Sequence, residues 1–108
     1  MIRDGNLARR GPTTSKQYYV YILTNEHCTV LYTGVTNNLQ RRIYEHRENI
    51  LIGFSSRYKY KKLVYYEVCN NIETALMRGK QIKAGPRSKK VELITVTNRE
   101  WNDLYDFL

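Results

Sequence analysis

Between Tyr18 and His46 the chain leaves few ways to fold. Tyr18–Thr24 is an unbroken run of aromatic, β-branched and aliphatic residues, and Val30–Thr36 is a second. The polar stretch Asn25, Glu26, His27 lies between them, which signals a β-hairpin with a loop longer than the tight two-residue kind. Gly34 stands near the end of the second run, and Thr36 and Asn37 are residue types that cap helices. Asn37 with Gln40 three residues later fits a variant capping box. The helix that follows places Leu39, Ile43 and His46 on one face, with Arg42 beside it. A hairpin feeding such a helix brings together two tyrosines, an arginine and a histidine.

The rest of the chain extends the pattern. Leu63–Cys69 is rich in β-formers and reads as a third strand, central or edge. Asn70 can cap a second helix, with Glu73 in capping-box position. Its apolar positions Ile72, Ala75, Leu76 and Ile82 predict one buried stripe, and Gly85-Pro86 stops it. Ser88 is the expected cap of a third helix carrying Val91, Leu93, Ile94 and Val96. The pattern is α+β: a small three-stranded antiparallel sheet flanked by helices, in the order β-β-α-β-α-α. Residues 1–17 show no hydrophobic period and carry Arg3, Arg9, Arg10 and Lys16, which predicts a flexible basic leader. Residues 18–97 form the domain, and residues 98–108, with Trp101, Leu104, Tyr105 and Leu108, are expected to pack back on it. Ile50–Phe54 reads as a loop tucking apolar residues under the domain.

The order and spacing of these residues resemble the GIY-YIG nuclease superfamily, and most closely its small stand-alone bacterial members. Tyr19-Val20-Tyr21 stands at the family's Gly-Ile-Tyr, and Tyr32-Thr33-Gly34 at its Tyr-Ile-Gly. Arg42 lies eight residues past Gly34, at the family's arginine, and His46 one turn later. Leu63–Glu67, Lys80–Lys83 and Asn98–Trp101 continue the match. The resemblance implies a metal-dependent DNA endonuclease using magnesium or manganese. It implies Tyr21 at the position proposed as general base, Tyr32 orienting water or phosphate, Arg42 gripping phosphate and His46 assisting. Arg42 suits the task on its own chemistry, because a planar guanidinium takes two phosphate oxygens and stays charged at any working pH. Tyr19, on the same strand face as Tyr21, is either a neighbour in the site or packing.

One position departs from the family. Gly79 stands where relatives have the metal-binding glutamate. A mid-helix glycine costs roughly 1 kcal/mol relative to alanine, and the local pattern supplies no turn to explain it. Two readings stay open. The chain is an inactive variant, native or engineered, that still binds DNA, with no metal ligand retained. Alternatively Glu67, or less well Glu73, supplies the carboxylate. If 79 is simply a lost ligand, restoring glutamate should both revive metal-dependent cutting and stabilise the helix.

Charge bears on partners. Eighteen Lys and Arg against ten Asp and Glu give a net charge of +8 and a pI near 9.6, a balance suited to polyanions. DNA is the expected partner and RNA the alternative, whether the chain cuts or only binds. Arg57, Lys59, Lys61, Lys80, Lys83 and Arg87 are the candidates for a basic rim around the tyrosines. Cations alternate with aromatic rings from Arg57 to Lys61, a pattern suited to phosphate contact with base stacking. Cys28 and Cys69 lack the paired spacing of a zinc or disulfide framework, so a reducing cytoplasm is the expected setting. No apolar run approaches the length of a membrane span.

Overall fold

The computed structural model describes residues 17–48 and 61–108. Three strands form one antiparallel sheet: β1 (Tyr18–Thr24), β2 (Leu31–Thr36) and β3 (Lys62–Cys69), in the order β2-β1-β3. β3 is therefore an edge, and β1 is central. Helix α1 (Leu39–Arg47) follows the hairpin, and α2 (Ile72–Ala84) and α3 (Arg87–Thr97) follow β3. A single 3₁₀ turn, Leu104–Phe107, lies near the C-terminus. This is the α+β architecture expected from the sequence pattern. The leader up to residue 16, the Ile50–Phe54 stretch, Arg57 and Lys59 lie outside the described residues.

Alternation along the central strand builds two cores. Val20 and Ile22 point to one side, where they meet Val64, Tyr65, Ala75, Ile82 and Ile94 of β3, α2 and α3. Tyr21 and Leu23 point to the other, where they meet Leu39 and Ile43 of α1 and Leu63 of β3. Such period-two alternation with both faces covered makes every β1 side chain from Val20 to Thr24 buried. Complete burial of a residue such as Ile22 contributes roughly 1.5–3 kcal/mol.

The helix starts differ from the sequence reading by one residue. Asn38, not Asn37, caps α1: its Oδ1 accepts from the Arg41 amide at 3.1 Å. Thr36 is occupied in the preceding turn, its hydroxyl accepting from the Asn38 amide at 3.1 Å. Asn71, not Asn70, caps α2 through the Thr74 amide at 2.8 Å. α3 starts directly after Pro86, which gives no side-chain cap, so Ser88 falls inside the helix. Proline's fixed φ suits this position, and it has no amide to leave unpaired.

The buried faces of α2 and α3 are narrower than expected. Ala75, Gly79 and Ile82 are buried, whereas Ile72 and Leu76 are 40% and 49% exposed. In α3 only Ile94 is buried, and Val96 is exposed. The C-terminal residues are tied to the body by polar contacts as much as apolar ones. Buried Asn98 donates to Val64 O at 3.0 Å and to Asn102 O at 2.8 Å. Asp103 accepts from the Leu63 amide at 3.1 Å and pairs with Arg47 at 3.2 Å. Arg47 also stacks over Tyr105, 4.7 Å from the ring centroid. Leu104 and Tyr105 pack on the α1-side core and Trp101 on the other, while Leu108 stays substantially exposed.

Candidate active site

The α1 side of the sheet gathers four of the residues singled out by sequence. Tyr21 is fully buried and His46 is 2% exposed. The Tyr21 hydroxyl lies 3.4 Å from His46 Nε2. Tyr32 completes the group, its ring centroid 5.3 Å from His46 and 6.3 Å from Tyr21. Arg42, half-buried, flanks them closely enough to shift the protonation of both Tyr21 and His46. β1 supplies Tyr21, its hairpin partner β2 supplies Tyr32, and successive turns of α1 supply Arg42 and His46.

Gly34 makes this arrangement possible. It pairs with Tyr21 across the hairpin, and the tyrosine ring lies over it. A Cβ at position 34 would sit 2.3 Å from the Tyr21 hydroxyl oxygen and 2.4 Å from Cζ. The glycine of the Tyr-Thr-Gly run is needed for close approach rather than for backbone freedom.

Burial sets the protonation states. It pushes the Tyr21 phenol above its ordinary range, with neighbouring Tyr32 adding to the effect and Arg42 opposing it. Tyr21 therefore keeps its proton at neutral pH. Burial, helped by Arg42, also pulls His46 down to about 4, against the opposing pull of Glu45. The imidazole is neutral at physiological pH. Its Nδ1 is buried without a hydrogen-bond partner among the described residues.

Glu45 was not picked out by sequence reasoning. It accepts from Arg42 Nε at 3.2 Å and acts electrostatically on both Tyr21 and His46. Its position three residues after Arg42, a spacing that brings helix side chains together, was the available signal. Held by its Nε edge, the Arg42 guanidinium is fixed in orientation.

The alternative carboxylate, Glu67, is elsewhere. It pairs in register with Val20, so it belongs to the opposite face of the sheet. There Arg78 holds it through Nε at 3.0 and 3.1 Å and through a terminal nitrogen at 2.8 Å. Tyr65 donates its hydroxyl to the same carboxylate. Arg78 foremost keeps Glu67 below the usual carboxylate range, while burial and the Glu67 contact raise Tyr65 to about 12. Glu73 lies exposed in the first turn of α2.

Gly79 also faces the α2 side. A Cβ there would come 2.8 Å from Val35 Cγ2, so the glycine lets α2 lie close against β2. This supplies the structural reason that the sequence pattern lacked. It also reverses the expectation that a glutamate at 79 stabilises the chain: helix propensity favours a side chain by about 1 kcal/mol, but overpacking against a stiff β-branched neighbour costs about 1–3 kcal/mol. Gly79→Ala is expected to lose about 1 kcal/mol of unfolding free energy in denaturant titrations. In a Val35→Ala background the same change should become stabilising. Equal effects in the two backgrounds would contradict the packing explanation.

Among the described residues, the candidate basic side chains lie on more than one face. Lys80 and Lys83 are exposed on α2 and Arg87 opens α3, both helices covering the face away from Tyr21. Arg87 donates to Cys28 O at 3.3 Å at the hairpin loop. Lys61 donates to Arg47 O at 2.7 Å, at the end of α1.

A divalent cation, which the fold family implies, is not matched by these donors. The carboxylate beside Tyr21 and His46 is Glu45, and it is engaged by Arg42. Among the described residues no three His, Cys, Asp or Glu side chains come together as a metal site. No helix among them is long and apolar enough to cross a membrane.

Known proteins match this arrangement. Residues 17–92 match the GIY-YIG catalytic domain. A UPF0213 protein of Clostridium perfringens is 39% identical over 71% of this chain and 82% of its own length. Another, from Desulfotalea psychrophila, is 31% identical over 93% of this chain and 91% of its own. The solution NMR structure of a UPF0213 protein from Bacillus halodurans superposes with a TM-score of 0.50 at 25% identity, covering 81% of this chain and 92% of that one. With the paired tyrosines, arginine and histidine gathered on one sheet face and this similarity spanning most of its length, the chain belongs to the GIY-YIG family, among the small UPF0213 proteins.

Proposed function

We propose that this chain holds a phosphodiester of DNA at Arg42 and Tyr32, over the buried pair Tyr21 and His46, and that it cuts that bond weakly or not at all. The convergence of the four side chains within ring-contact and hydrogen-bond distance supports the phosphate reading. Hydrolysis requires charge neutralisation around the pentavalent phosphorus, activation of water and protonation of the leaving oxygen. Arg42 supplies the first as a fixed fork. Buried Tyr21 keeps its hydroxyl proton and holds His46 in place beside the phosphate position. Neutral His46, depressed to about 4, is a weak base at neutral pH. The step left without a matched group is activation of water, because Glu45 beside the site is paired with Arg42 and Glu67 is committed to Arg78 on the other face.

The test measures binding and cleavage together. Affinity for DNA should fall steeply with salt as phosphate contacts release counterions. Arg42→Ala should weaken binding about tenfold or more, in line with loss of a charge-assisted phosphate contact. Lysine at 42 should recover little of that, since it lacks the fork. Plasmid nicking should stay at background with or without magnesium. Rapid nicking by the unaltered chain would overturn the impaired-enzyme reading. A salt-independent affinity, or none for DNA while RNA of matched length binds, would overturn DNA as the ligand.

A further inference from the structure

We infer that the sheet face carrying Tyr21 also holds a subsite for one unstacked nucleobase, built by Tyr19, Tyr66, Val68, Asn37, Gln40 and Phe107. The inference rests on the phosphate reading above and extends it from the backbone of the nucleic acid to its bases. These residues line an open cavity of about 450 Å³. Its floor is the sheet: Tyr19 pairs with Val68 across β1 and β3, and Tyr66 pairs with Tyr21. Tyr19 and Tyr66 meet edge to face, their centroids 6.4 Å apart with an interplanar angle of 62°. One wall is the start of α1, with Asn37 and Gln40. The other is the C-terminal turn, with Phe107.

Several features point to a base rather than to another occupant. Aromatic rings here are left in contact with solvent, Tyr66 37% and Phe107 80% exposed, beside the half-exposed Val68. Flat aromatic surfaces bind the π-face of any base. The carboxamides of Asn37 and Gln40, each offering a donor pair and an acceptor, suit the hydrogen-bonding edge of a base. The cavity lies beside the phosphate site, since its Tyr19 neighbours Tyr21 on the same strand face. A chain with a net charge of +8 draws a polyanion to both. A base held there is out of its stack, so the substrate class is nucleic acid with an unpaired nucleotide beside the bound phosphate.

The experiment uses the full chain and two oligomers of about eight nucleotides. One is oligothymidylate, and the other is the same sugar–phosphate chain with abasic residues throughout. The unaltered protein should bind the first about tenfold more tightly than the second, the scale of a single stacking contact. Tyr66→Ala and Phe107→Ala should each shrink that ratio toward unity without changing affinity for the abasic chain, and Tyr66→Phe should retain it. Phe107 is so exposed that its variant keeps the fold. Equal affinity of the unaltered protein for both oligomers, each salt-dependent, would overturn the base subsite and leave the phosphate reading standing. Binding to neither would overturn both.

Discussion

An alanine at position 34 is expected to displace Tyr21 from the site and to cost about 3 kcal/mol of folding stability. The new methyl group would overlap three atoms of the phenol ring end, at 2.3, 2.4 and 2.9 Å. The ring is fully buried among Leu23, Leu39, Ile43 and Leu63, so it has no open direction in which to yield. Either the ring rotates, which removes its hydroxyl from His46, or β2 moves away from its place in the sheet. Denaturant unfolding measures the stability loss, and oligonucleotide affinity measures the loss of the site. The control is the same change in a Tyr21→Leu background, where the overlapping atoms are gone and Gly34→Ala should be nearly neutral. A large loss that persists there would trace the requirement for glycine to the backbone instead of to Tyr21.

Acid is expected to weaken this protein through His46. The folded chain keeps the imidazole neutral down to about pH 4, whereas the unfolded chain takes up a proton below about pH 6.5. The unfolded state therefore binds more protons between those limits, and stability falls as pH falls. His46 contributes little to this slope above pH 7. Its full effect, reached near pH 4, is about 3 kcal/mol, at about 1.4 kcal/mol per pH unit. Glu67, held below its ordinary range by Arg78, adds acid sensitivity only at the lower end of that window. Comparing unfolding free energies of the unaltered chain and His46→Leu at pH 7 and pH 4.5 isolates the histidine. The variant should lose markedly less stability on acidification, and parallel curves would show that His46 is not kept neutral by the fold.

The two predictions also mark what a linear reading can reach. The hairpin, the following helix and its buried Leu39, Ile43 and His46 were legible because strand and helix periods are local. The meeting of Tyr21, Tyr32, Arg42 and His46 followed from them. Which face of the sheet α2 would cover was not legible, since it depends on how β3 returns beside β1. That one unknown governed the misplacements. Glu67 looked available until its register set it opposite Val20, and the packing of Gly79 against Val35 has no signal in the helix period. The α2 stripe failed at Ile72 and Leu76 because glycine and alanine, not the larger side chains, form the close contact. Phe107 carried no motif and Tyr66 entered only within the Leu63–Glu67 match, so their convergence with Asn37 and Gln40 in space was not legible.

The central strand has a consequence for how this small protein fails. β1 sends Val20 and Ile22 into one core and Tyr21 and Leu23 into the other, and it is hydrogen-bonded on both edges. A slip of one residue would exchange the two sets, placing phenols among the helices and aliphatics in the site. Neither half can therefore loosen alone. The site is thus coupled through β1 to the core on the α2 side. Damage far from Arg42, on the α2 side, would thus appear as lost nucleic-acid binding and lost stability together.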